Sequence, residues 1–373
     1  MLAELEIDLD AIRTNVRTLA RFCSPARVAP VIKANAYGHG IVEVARALEA
    51  DVERLCVYAF DEARELRAAG VTAPIHVLGP IAPDDLDAAI SNDVQFTLWS
   101  EGAYFNDVIA ASRRCERPAT VHAKIDTGVT RLGMSTAQAP DRIARYLRDE
   151  RLTVIGAFSH LAAAEELASQ FTDDQRIRFE TATAPFASRL ERHLAASAAA
   201  MLYPATRFDL VRPGIAIYGL WPSPATRESA GNTITLKPAL SWRTQLAVVH
   251  DVAAGTSVGY GCTYHTTSPS RIGVLPIGYA EGLPRAASGR AFVAIDGVRV
   301  PVVGRICMNM AFVDVTGVPK ANAGSSATLI GRDGSERIGA DEWAAWSDTI
   351  DYEIVARLPP DMRRRFVAGS PTL

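Results

Sequence analysis

Cysteine is scarce and scattered in this 373-residue chain: the five present, Cys23, Cys56, Cys115, Cys262 and Cys307, are odd in number and never spaced as CxxC. That pattern gives neither a disulfide framework nor a structural zinc site, and a reducing cytoplasm suits it best. A basic excess is also missing, because 39 Lys and Arg face 42 Asp and Glu, for a formal charge of −3. A nucleic-acid partner is therefore disfavoured. No apolar run approaches the roughly 18 residues of a membrane helix, the best stretch being short and alanine-rich, over 195–203. Residues 1–10 carry acids where an export signal carries Lys or Arg, and no such signal is read there. What is present, 48% hydrophobic residues with 26 Gly and 21 Pro, is ordinary globular composition.

The first two thirds alternate short β-branched runs with segments of helical spacing, the rhythm of βα units around a parallel sheet. Asp10 is placed to cap a helix whose apolar positions Ile12, Val16 and Leu19 recur at three to four residues. Strands are expected over 28–32, 55–58, 75–78, 94–98, 120–125, 154–158, in a short run ending near Ser197, and over 208–211. Eight parallel strands with interposed helices fit a (β/α)8 TIM-type barrel better than an open sheet. Chemistry in such a barrel sits where strands end. Lys33 then closes the first strand, Arg131 follows the fifth, His160 closes the sixth, Ser197 the seventh and Arg212 the eighth.

Beyond Pro224 the texture changes to alternating runs over 240–249, 271–276, 292–295, 298–303 and 311–315, separated by Gly-rich turns. The reading is an α/β chain with a barrel over 1–232 and a mainly β domain over 233–373. No His, Cys, Asp or Glu set shows metal-ligand spacing, His122, His160 and His193 included, so no metal is expected.

The segment Val31-Ile-Lys33-Ala-Asn-Ala-Tyr37-Gly38-His-Gly40 ends an apolar strand in a lysine and continues into a Gly-punctuated loop. In dry surroundings such an amine becomes nucleophilic and makes Schiff bases, for which pyridoxal phosphate is the obvious partner. A solvated lysine beyond a strand edge is the competing reading of the segment alone. Taken singly, Ser197 reads as a buried hydroxyl and Tyr352 as a packed ring.

VIKANAYGHG resembles the cofactor-lysine motif of the alanine racemases. Lys124-Ile-Asp-Thr-Gly-Val-Thr-Arg131-Leu-Gly133, Phe158-Ser-His160-Leu and Val211-Arg212-Pro-Gly214-Ile215 are similar to later segments of that family. So are Val258-Gly-Tyr260-Gly, Pro276-Ile-Gly-Tyr279-Ala-Glu-Gly282, Gly304-Arg305-Ile-Cys-Met308 and Ile350-Asp-Tyr352-Glu, in the same order. The resemblance implies that Lys33 holds pyridoxal 5′-phosphate and is the base on one face of the substrate α-carbon, with Tyr260 from the opposite subunit of a homodimer as the other base. It implies that His160 hydrogen-bonds that tyrosine with Arg212 beyond it, and that Arg212 also partners the pyridine nitrogen. Tyr37, Ser197, Gly214, Ile215 and Tyr352 match the phosphate shell. Arg131 matches the arginine on the cofactor oxygen and the substrate carboxylate, and the Met308 backbone a further carboxylate contact. Lys124 matches a position often carbamylated, and Tyr279, Tyr352, Arg285, Arg305 and Glu165 match the entrance.

Two departures stand out: Ala196 where the family often has Asn, and Asn309 where Asp is usual. The resemblance implies an alanine racemase that supplies D-alanine for peptidoglycan. A racemase of serine or of many amino acids is the near alternative, and a non-catalytic cofactor-binding barrel or a decarboxylase a more distant one.

Overall fold

The computed structural model describes residues 3–368. They form two compact units, one of residues 11–36 and 41–237, the other of 3–10, 37–40 and 238–368. The first unit is built on a parallel sheet of six strands: Leu55–Val57, Ile75–Val77, Val94–Leu98, Ala119–Asp126, Leu152–Phe158 and Glu191–His193.

A second parallel pair, Arg27–Val28 with Leu210–Val211, closes this sheet into a ring. On one side Val31 bridges Cys56, with the Ile32 N–H donating to the Cys56 carbonyl at 2.8 Å. On the other Ala196 bridges Arg212, whose N–H donates to the Ala195 carbonyl at 2.9 Å. Seven of the eight strands expected from sequence recur in the ring, readable because strands buried on both faces become apolar runs bounded by turns. The seventh differs: the strand is Glu191–His193, and Ser197, expected to close it, opens helix Ser197–Leu202 instead.

Helix Leu9–Cys23 buries Ala11, Ile12, Val16 and Leu19 along the stripe that the sequence periodicity set. Asn15 lies in the same stripe, and its amide satisfies three backbone groups, donating to the carbonyls of Ile217 and Lys237 and accepting from the Lys237 N–H. A buried polar side chain with all its bonds made fixes the end of the barrel segment without an unpaired group.

The second unit is a ten-stranded, largely antiparallel sheet. Its path runs Val248–Val252, Ser270–Leu275, Ala311–Asp314, Val298–Val303, Phe292–Ile295, Ser326–Asp333, Leu240–Gln245, Glu4–Asp8 and Arg364–Val367, with Glu336–Ile338 beside Ser326–Asp333. Helices Ala340–Trp346 and Asp351–Ala356 complete this mainly β unit. The expected run over 240–249 is two strands, because the chain changes partner at 246–247: Leu240–Gln245 pairs with Ser326–Asp333, and Val248–Val252 with Ser270–Leu275.

Candidate active site

At the carboxyl end of the first barrel strand the chain enters a left-handed turn. Ala34, Asn35, Ala36 and Tyr37 have φ of 53°, 53°, 52° and 52°. For residues with a Cβ this costs roughly 1–2 kcal/mol each, and it survives only where surroundings impose it. Several bonds do so. The Ala36 N–H donates to the Ile32 carbonyl at 2.9 Å, the Ile41 N–H to Asn35 Oδ1 at 2.9 Å, and the Ala34 N–H to Glu62 Oε1 at 2.5 Å. Lys33, at the start of the turn, is half-buried, and its amine is held below lysine's ordinary value by burial first and by the Arg131 cation second, with Glu62 opposing.

The fifth strand delivers Lys124, 6% exposed, with Nζ lying 4.1 Å from the centroid of the Phe158 ring. Burial, then Arg212 and Arg131, push its amine down to about 7. Just beyond, Asp126 shapes the loop that carries Arg131: its Oδ1 accepts the N–H groups of Gly128, Val129 and Thr130 at 2.8, 3.0 and 3.2 Å. Gly133 is required in this loop, since its φ is +140° and a Cβ would stand 2.4 Å from the Asp126 nitrogen. After the sixth strand, Gln175 donates to the His160 carbonyl at 3.1 Å and accepts the Ala162 N–H at 2.9 Å. His160 is held well below its ordinary value by burial, then by Arg212, Lys124, Arg131 and Lys33 in turn. Glu165 is exposed in the segment that follows.

Ser197 accepts the N–H groups of Gly214 at 3.0 Å and Ala216 at 3.4 Å, which joins the ends of the seventh and eighth strands and leaves its hydroxyl hydrogen to donate. Ile215 is buried next to it, at the start of the short helix Ile215–Tyr218. Arg212 is buried, and its terminal nitrogens donate to His193 Nδ1 and the His193 carbonyl, both at 2.7 Å, to the Ser159 carbonyl at 2.7 Å and to the Leu194 carbonyl at 3.2 Å. Burial pushes it down to about 10, so it stays protonated at neutral pH. The hydrogen-bonded imidazole is thus that of His193, whereas His160 meets Arg212 through its charge.

Beneath Arg212 the structure corrects the expectation that no metal-ligand set exists. His76, His122 and His193, on the third, fifth and seventh barrel strands, place ring nitrogens within 4.8 Å of one another. Sequence spacing could not show this, because closure of the sheet, rather than proximity along the chain, brings alternate strands into one layer. The surroundings are hostile to a cation. Arg212 donates to His193, Arg54 Nη1 stands 3.2 Å from His122 Nε2, and the His76 and His122 rings stack at 3.9 Å, so their in-plane lone pairs do not converge. Arg212 can only donate, so His193 accepts at Nδ1 and carries its hydrogen on Nε2, 3.0 Å from His122 Nδ1, while His122 Nε2 faces both Arg54 Nη1 at 3.2 Å and Gln95 Oε1 at 3.1 Å. Below them Arg54 pairs with Glu191 at 2.7 Å.

In the β unit, Gly38 (φ +79°) approaches so closely that a Cβ would lie 2.1 Å from the Val355 carbonyl oxygen, and the Tyr37 and Tyr352 rings stand 6.3 Å apart. Gly278 makes a second close passage, where a Cβ would meet the Cys307 and Met308 carbonyl oxygens at 2.2 and 2.4 Å. This brings Tyr279 beside Met308, whose carbonyl accepts the Ala280 N–H at 2.9 Å. Asn309 donates to the carboxylate of buried Glu281 at 2.7 Å, so an amide here is matched to an acid that a second carboxylate would repel. Tyr260 is 71% exposed and lies in a glycine-flanked turn in which a Cβ on Gly261 would stand 2.9 Å from the Arg305 guanidinium. Arg305 and Arg285 are both exposed. Ala196 precedes Ser197 with no side-chain donor to offer.

Sequence reasoning passed over Glu62, Asp126, Arg54 and the histidine layer. Glu62 and Asp126 each carried a local signal, an acid in a helix first turn and an Asp before a Gly-containing loop, but their partners are backbone groups that only the fold reveals.

Comparison with known proteins agrees with this architecture. Residues 7–222 match the family model for the alanine racemase N-terminal domain, and residues 239–366 that for the C-terminal domain. An alanine racemase of Symbiobacterium thermophilum is 41% identical over 356 residues, covering 94% of this chain and 93% of its own. One from Methanococcus maripaludis is 37% identical, covering 95% and 96%. Among solved structures, alanine racemase from Streptomyces lavendulae superposes with TM-score 0.92 at 36% identity, over 99% of this chain and 98% of its own. That from Bacillus anthracis with bound L-Ala-P gives 0.90 at 35%, over 98% and 95%. The family models and relatives place this barrel and β unit among the amino-acid isomerases. The chain belongs to the alanine racemase family.

Proposed function

We propose that this enzyme interconverts L- and D-alanine with pyridoxal 5′-phosphate attached at Lys33. One observation carries the reading: Lys33, Lys124, Arg131, His160 and Arg212 influence one another electrostatically at the strand ends of one barrel, and the Lys33 amine is held below its ordinary value. Such a positive mouth suits a phosphate dianion together with an amino-acid carboxylate. The residues fit the cofactor. Lys33 is the nucleophilic amine, the Ser197 hydroxyl with the Gly214 and Ile215 backbone forms a phosphate cradle, and Arg212 is a permanent donor for a ring nitrogen. Tyr37 and Tyr352 are proposed for the same phosphate.

When bound, the cofactor withdraws electron density from the substrate and acidifies its α-hydrogen. The chain does the rest. Arg131, with the Met308 backbone, orients the carboxylate. Lys33 takes or returns the proton on one face, and the partner subunit's Tyr260 serves the other, since inversion needs a donor opposite the acceptor. A Tyr260 side chain 71% exposed, with Met308 at 56% and Tyr279 at 43%, is consistent with a face that a second subunit covers. Arg212, which keeps its proton, weakens the ring as an electron sink and so disfavours transamination. Tyr279, Tyr352, Arg285, Arg305 and Glu165 are assigned to the entrance, and supply of D-alanine to peptidoglycan is the proposed use.

The test is a D-enantiomer assay with purified holoenzyme over a panel of L-amino acids. Rapid conversion of alanine with exchange of its α-hydrogen for solvent deuterium is expected. Equal rates on serine would indicate a broader racemase, and no conversion of any amino acid would refute the reading. Asp126→Ala should raise KM for alanine about tenfold with little change in kcat, because it releases the loop carrying Arg131.

Lys124 is proposed to be carbamylated. An amine pushed down to about 7 is substantially neutral at physiological pH, so its nitrogen can bond the carbon of CO2 and release a proton to solvent. The resulting anion faces Arg131 and Arg212, exchanging repulsion for charge-assisted pairing. A carbamate carbon resonance in ¹³C-bicarbonate, lost in Lys124→Ala, is expected. A spectrum identical in the two proteins would count against it.

A further inference from the structure

We infer that Glu62 is a positioning residue for Lys33, clipping the left-handed turn that begins at Ala34 to the neighbouring strand-to-helix loop. The inference rests on Lys33 being the cofactor-bearing amine of the proposed racemase.

Glu62 is the third residue of helix Phe60–Ala68, and one of its oxygens does ordinary capping work: Oε2 accepts the N–H groups of Tyr58 at 2.8 Å and Ala59 at 3.1 Å. The other oxygen leaves the helix. Oε1 accepts the Ala34 N–H at 2.5 Å, a residue 28 positions earlier and directly after Lys33. Ala34 is the first of the four residues of positive φ, so the bond restrains the turn at the point where it departs from the strand. A turn of this kind returns to ordinary backbone angles unless it is tied, and a shift there swings the Lys33 side chain with it.

The same carboxylate carries a charge that acts on the amine. Burial and Arg131 favour neutral Lys33, and Glu62 favours the protonated form. One residue thus sets both where the amine stands and how readily it holds a proton, a combination that a helix cap alone does not provide. Asn35, whose Oδ1 accepts the Ile41 N–H, ties the turn on its other side without adding charge.

The experiment uses the full-length chain stripped of cofactor and then given pyridoxal 5′-phosphate. Borohydride trapping and mass spectrometry follow the rate of labelling at Lys33 against pH, and hydrogen–deuterium exchange follows the peptide containing Ala34. In Glu62→Gln, labelling at acidic pH should be roughly threefold faster, because the amine gives up its proton more easily. The Ala34 amide should exchange about tenfold faster. Glu62→Asp restores the charge but falls one methylene short, so its labelling profile should return towards the parent while exchange stays fast. A Glu62→Gln profile superimposable on the parent overturns the proposal, whatever the melting temperature does, because it reduces Glu62 to a cap. Failure of the racemase reading shows separately: the parent chain would then carry no label at Lys33, and the proposal would fall with it.

Discussion

Mixing Lys33→Ala chains with Tyr260→Phe chains is expected to restore racemisation that neither variant shows alone. Each variant by itself should lose at least about a thousandfold in kcat, the scale of removing one positioned acid or base from a proton-transfer reaction. If the partner subunit's Tyr260 completes each site, a mixed dimer has one site with both defects and one with neither. Random exchange of equal amounts makes half the dimers mixed, so about a quarter of all sites are intact and about a quarter of parental activity returns. A site built within one chain predicts no recovery, since every site would then carry one defect. The experiment reads subunit arrangement and the two bases together, and Lys33→Ala alone should also lose the visible absorbance of bound cofactor.

Stability is expected to fall steeply below about pH 6.5. His76, His122, His160 and His193 are all held well below the ordinary histidine value, by burial first in every case. Lowered values in the fold mean that, as pH drops past 6.5, the unfolded chain takes up protons that the native rings refuse. Each such ring then removes about 1.4 kcal/mol per pH unit until its own native value is reached. The four act in the same direction, so the losses accumulate as pH falls, against a folding stability that is small to begin with. Glu191, raised by burial, offsets a fraction, because its native carboxyl binds a proton more readily than the unfolded one. Urea midpoints from pH 8 to 5.5 check this. A flat profile would show that the native rings protonate freely, and His76→Leu should lessen the slope, since it removes one ring whose Nδ1 has no hydrogen-bond partner.

The contrast between these two expectations follows what a sequence can display. Lys33, Arg131, Ser197 and Arg212 announce themselves because each lies at or a few residues beyond the end of a barrel strand, and strand ends in a barrel are where side chains meet. The histidine layer gives no such notice: His76 and His122 lie within apolar strands and look like interruptions of the pattern, His193 ends the polar strand Glu191–His193, and the three are 46 and 71 residues apart. Glu4–Asp8 alternates buried and half-exposed residues, but five residues rich in acid next to a helix start read equally well as a leader into that helix. Glu62 and Asp126 escaped for a third reason. A carboxylate that binds backbone amides leaves no complementary side chain in the sequence to pair it with.

The position of the first strand sets an order of assembly. Glu4–Asp8 lies between Leu240–Gln245, antiparallel, and Arg364–Val367, parallel, within the β unit. On the ribosome the barrel segment can therefore close while its N-terminal extension waits, one edge of that strand unpaired until Leu240–Gln245 emerges and the other until Arg364–Val367 does. A fragment beginning at residue 238 would lack the strand that joins Arg364–Val367 to Leu240–Gln245, so clipping the first ten residues should leave Arg364–Val367 with nothing to zip against while the rest of the sheet stays continuous.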